Sequence, residues 1–145
     1  MRRPAEYENL IKAKAFEAVA PTPGAIAGFL RNAADYKATA EELDPSRHMQ
    51  VFTLAYEGYF QIVQAVLERY EVRTKDAGRN LAIQRVSTSL GVNTQEFAFI
   101  TKAHERRNGT SYVSPFPPVS KAEAATMLAI LAKYLPVAQT LTGTP

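Results

Sequence analysis

The residues with the most chemistry to offer cluster between positions 102 and 112: Lys102, His104, Arg106, Arg107, Asn108 and Tyr112. Guanidinium groups at a helix end contribute little to a core and much to an anionic ligand, because Arg grips phosphate bidentately. Asn108 can position the same phosphate, and Tyr112 can stack on a base or donate its hydroxyl. Lys102 and Arg106 stand four apart on one helix face, while His104 and Arg107 stand three apart on another. Cations in a last turn also complement the helix dipole. That explains Lys102 and Arg106 well, and Arg107-Asn108 followed by Tyr112 less well.

Other chemistries are not expected. The run His104-Glu105-Arg106-Arg107-Asn108 begins like a zinc-protease motif but lacks the second His four residues on. With 2 His and no Cys, neither a metal centre nor thiolate chemistry is expected. The 7 glycines are scattered, so there is no phosphate-binding loop, and no cofactor is expected. Asn108-Gly109-Thr110 fits a glycosylation pattern, read as chance without a secretory route. His48 reads as a surface or capping residue. Tyr56, Tyr59 and Tyr70 read as core and boundary aromatics, and the acidic residues as solvated faces.

Charge is distributed unevenly. Residues 69–107 hold 8 Lys+Arg against 4 Asp+Glu, whereas residues 1–68 hold 7 against 9. A basic middle zone on a nearly neutral chain suits an anionic partner, below the density of a dedicated DNA-binding domain. No apolar run approaches membrane-spanning length, and the N-terminus has no apolar stretch after its basic residues. The expectation is a cytoplasmic protein with no membrane partner.

The elements that must position the cluster read as helices of one domain spanning residues 1–145. A first helix is expected over about 4–20, a second over 24–43 and a third over 46–70. The third is the longest, with Val51, Leu54, Tyr59, Ile62, Val66 and Tyr70 at helical spacing. A polar connector over 71–80, long for a bundle, reads as mobile. A short helix over 79–90 ends at Gly91. The fifth starts at Asn93 or Thr94 and ends at Asn108-Gly109, both of which tolerate a left-handed backbone. The prolines of residues 115–118 exclude a helix there. Ser120 and Glu123 form a capping box for the last helix, which Pro136 ends or kinks before a frayed tail. No strand-like alternation is evident, so the fold class expected is an all-α bundle of five to six helices.

Arg107-Asn108, three residues, then Tyr112, between a penultimate and a last helix in a small all-α chain, resembles the HEPN superfamily. Many of its members are metal-independent ribonucleases, often toxins or antiviral effectors. Their motif is Arg, often followed by a polar residue, with His after four to six intervening residues, and two copies meet at a dimer interface. The resemblance implies a HEPN-like fold and a homodimer, with a site at Arg107, Asn108, Tyr112 and His104. Arg73, Arg79, Arg85, Lys102 and Arg106 are expected to supply a surrounding positive field if folding brings them to that side. Tyr112 stands where His is common, and His104 precedes the Arg. A phenol is a poor base near neutral pH. Binding of RNA or a nucleotide therefore survives the departure more readily than cleavage. The alternatives are an active ribonuclease using Arg107 with Tyr112 or His104, and a non-enzymatic module docking an antitoxin or a nucleotidyltransferase.

Overall fold

The computed structural model describes residues 3–75, 78–109 and 113–144. Among them the chain forms an all-α bundle of six helices with one small sheet: α1 (Ala5–Lys12), β1 (Phe16–Ala18), α2 (Ala25–Glu42), α3 (His48–Arg69), β2 (Val72–Thr74), α4 (Arg79–Leu90), α5 (Thr94–Asn108) and α6 (Lys121–Thr142). The central helix is α3, as its long apolar face implies. Phe52, Ala55, Tyr56, Tyr59, Ile62, Val63 and Val66 are all sealed from solvent. α2 and α6 lie along it. Gly58 allows that approach: a Cβ there would stand 2.7 Å from Leu131 Cδ2 of α6 and 3.0 Å from Tyr36 Cβ of α2. Leu54 is only half-buried, on the rim of a groove near the start of α3.

Four local expectations are corrected. The first helix stops at Lys12, because Lys14 adopts a left-handed backbone (φ 64). Phe16 then turns into the core and pairs antiparallel with Thr74. The start of the connector after α3 is consequently a paired strand. Its Val72 is buried in register with Ala18, and Glu71 makes the turn at φ 57. Arg3 fastens the same corner, its Nε donating to the Tyr70 carbonyl at 2.7 Å and its second nitrogen to the Glu71 carbonyl at 3.1 Å.

At the end of α5, Gly109 is right-handed (φ -59) rather than left-handed. Ser114 N donates to the Gly109 carbonyl at 2.9 Å. Pro136 does not end α6 either, since it lies inside a helix that runs to Thr142 and is capped by left-handed Gly143. By length and composition α6 could cross a membrane. In the fold, Met127, Leu131 and Ala138 are sealed within the core. The expected capping box of Ser120 with Glu123 forms, and at the start of α5 the cap is Asn93, which forms a capping box with Glu96.

Candidate functional site

The last turn and a half of α5 faces α3 and the start of α4. His104, Arg107 and Asn108 come from α5, Tyr56, Glu57 and Phe60 from α3, and Arg79 opens α4. The helices present these side chains together because α3 is walled on this side by α4 and α5.

Two guanidiniums converge on one carboxylate oxygen. Arg107 lies 3.3 Å from Glu57 Oε1, and Arg79 lies 3.4 Å from the same atom. The side chains of Arg107 and Glu57 are each 19% exposed, so water reaches the pair only partly. Arg79 also stacks on Phe60, its guanidinium carbon 3.7 Å from the ring centroid, and both arginines stand 5.7 Å from the Tyr56 centroid. Aromatic faces thus help the carboxylate to hold the cations. Two positive charges against one negative leave the group with a net positive charge.

A chain of hydrogen bonds fixes the protonation of His104. Arg107 donates to Asn108 Oδ1 at 3.0 Å. That orients the Asn108 amide so that its Nδ2 faces His104 Nε2 at 3.2 Å. An amide nitrogen only donates, so Nε2 must accept, and the ring proton must sit on Nδ1. Nδ1 lies 2.7 Å from the Tyr56 hydroxyl. The imidazole is therefore neutral in this arrangement. The electrostatics agree: burial, then the charges of Arg79 and Arg107, hold His104 below its ordinary value of 6.5. Burial pushes the Tyr56 phenol up, so it remains protonated. The Nε2 lone pair is occupied by Asn108, and His104 can act as a base only if Asn108 turns away.

The other expected site residues divide. Arg106 points away from this cluster and latches the strap over residues 115–118. It donates to Glu123 at 2.6 and 3.1 Å and to the carbonyls of Pro117 and Pro118, each at 2.8 Å. Lys102 is exposed on the same outer face, beside a cleft of about 480 Å³ lined also by Glu105, Arg106, Val113 and Phe116. Arg73 is exposed on β2, opposite Glu17, and no described contact joins it to the cluster. Arg85 lies in a separate groove with Leu10, Leu81 and Phe97. Tyr112 lies outside the described residues. No group of His, Cys, Asp or Glu among the described residues is arranged to hold a metal ion.

From sequence, Tyr56 reads as a core aromatic and Glu57 as a solvated acid, so neither is expected at this site, nor is Phe60. One signal was there: Glu57 is the only charged residue between Val51 and Leu67. An acid placed within the most apolar helix asks for a cationic partner. The chain matches no protein-family model, and no curated protein matches it.

Proposed function

We propose that this chain is a HEPN-like domain that binds a phosphate-bearing ligand, RNA or a nucleotide, as a homodimer with weak or no nuclease activity. The observation that carries the reading is the convergence of Arg79 and Arg107 on a single oxygen, with net positive charge left over. Guanidiniums held by aromatic faces are preorganised for an anion and lose little freedom on binding one. Asn108 adds a neutral amide beside Arg107. Lys102 and the remaining basic residues supply a salt-sensitive field. Cleavage is disfavoured because His104 has its only lone pair engaged by Asn108. As an enzyme, the chain would be a metal-independent ribonuclease in which ligand binding first releases Asn108 from His104.

The test is an RNA-binding isotherm at two salt concentrations for wild type, Arg107→Ala and Lys133→Ala. Lys133 pairs with Glu96 on the far part of α6 and serves as the control. Arg107→Ala should bind about ten-fold more weakly or worse, the scale of a lost charged hydrogen bond. Lys133→Ala should match the wild type. Equal binding by the two variants, or none by the wild type at low salt, rejects the reading. RNA degradation without added metal would move the protein to the ribonuclease class.

A second reading has its own observation. Val113 and Phe116, 86% and 76% exposed, flank the cleft beside Lys102. Bare apolar side chains beside a cation suit a protein partner, such as an antitoxin or a nucleotidyltransferase. Loss of partner binding in Phe116→Ser with RNA binding intact would favour this module.

A further inference from the structure

We propose that Glu57 is a resident competitor for the ligand's phosphate, and that it makes the site select a terminal phosphate over an internal phosphodiester. The inference rests on the phosphate-binding reading above. A single Glu57 oxygen bridges Arg79 and Arg107, which is where a phosphate oxygen gripped by both guanidiniums would sit.

The bridge is built to be exchanged. Its distances, 3.3 and 3.4 Å, are long beside the 2.6 Å of the Arg106–Glu123 pair in the same molecule. Charged hydrogen bonds at full strength are shorter, about 2.7–2.9 Å. The guanidiniums also do not depend on the carboxylate for their positions. The Arg79 guanidinium carbon stands 3.7 Å from the Phe60 ring centroid, and Arg107 is held by Asn108. When the carboxylate leaves, the two cations stay in place.

Charge then decides which phosphate gains by the exchange. With Glu57 in place the triad is singly positive. A phosphodiester carries one negative charge, so putting it in the carboxylate's place leaves the balance unchanged. A terminal phosphate carries about 1.5 to 2 negative charges at neutral pH and offers three oxygens. It neutralises both cations and releases Glu57 toward water. The carboxylate is thus a threshold that a chain interior does not clear and a phosphorylated end does. A terminal phosphate occurs on an RNA end or on a mononucleotide.

The experiment is fluorescence anisotropy with a short RNA bearing a 5′-phosphate and with its 5′-hydroxyl counterpart. Each is titrated against wild type, Glu57→Gln and Arg107→Ala, with AMP and adenosine as competitors. Wild type should hold the phosphorylated RNA several-fold tighter. Glu57→Gln should bind the hydroxyl RNA about 5-fold tighter than wild type does, the upper scale of a partly exposed ion pair, and so narrow the preference. AMP competing as well as the phosphorylated RNA would identify a mononucleotide as the source, and weak competition the RNA end. If Glu57→Gln melts well below wild type, Glu57→Asp, which keeps the charge but shortens its reach, should shift binding in the same direction. No tightening in either variant, or no preference in wild type, overturns the inference while loss of binding in Arg107→Ala keeps the phosphate site. Equal binding by wild type and Arg107→Ala removes the site itself.

Discussion

His104 illustrates how one side chain is tuned by three neighbours. Asn108 donates to Nε2, the Tyr56 hydroxyl accepts from Nδ1–H, and burial with two nearby guanidiniums disfavours the charged ring. A stability consequence follows by linkage. The folded chain binds the imidazole proton more weakly than the unfolded chain, whose value is near 6.5. Above that value both states are neutral and the group costs nothing. As pH falls through it, the unfolded chain gains a proton that the fold resists, and stability declines until the lowered folded value is passed. Denaturant melts at about pH 7.5 and about pH 5 should therefore show a larger loss for wild type than for His104→Gln. An equal loss would mean that His104 titrates as an ordinary surface residue. Much of this was legible at the residue level: Arg107, Asn108 and His104 stand out as a polar cluster at a helix end. Tyr56 and Glu57 do not, because their partners are some fifty residues away, and only the packing of α5 on α3 joins them.

Between elements, the main coupling is the Arg106 latch. Glu123 closes the capping box of α6 and at the same time receives Arg106 from α5, so one carboxylate ties two helices and the strap together. The Arg106 guanidinium is the chief reason the Glu123 carboxyl is pulled down to about 2. A lowered acid stabilises the fold above the unfolded value of 4.5, and that contribution is lost as pH falls toward about 2. Arg106→Ala should cost about 1–3 kcal/mol in denaturant melts, and Arg106→Lys should recover only part, since a point charge cannot serve both the carboxylate and two carbonyls. Within α3, Ile62→Ala should cost about 2–5 kcal/mol, and half-exposed Leu54→Ala distinctly less. Equal costs would show that the groove beside Leu54 is filled. Helices α2 to α6 are readable from periodicity and caps, because those signals are local. The β1–β2 pair is not, since each strand has three residues and its partner lies far along the chain. Pro136 does not end α6, because it sits on an exposed part of a helix that packing already holds.

At the scale of the whole molecule, the homodimer remains a proposal with a simple measurement. The motive is the exposed Phe116 and Val113 beside α5, together with the family resemblance. Sedimentation at tens of micromolar protein should give twice the chain mass of 16.0 kDa, and a mass of one chain rejects the assembly. The charge asymmetry of the sequence is partly spent internally, since Arg79 and Arg107 share Glu57 and Arg106 is committed to Glu123. The corner where Arg3 and β1 fasten onto residues 70–74 carries a different consequence, one of timing. A ribosome delivers α1 and β1 before α3 and β2, yet their seat exists only after those two have emerged. Until then Tyr7 and Phe16, both sealed in the finished fold, are bare apolar surface on the nascent chain. Helix α1 and strand β1 are made before their seat and settle only after it, and in that interval they are open to contacts that the finished fold forbids.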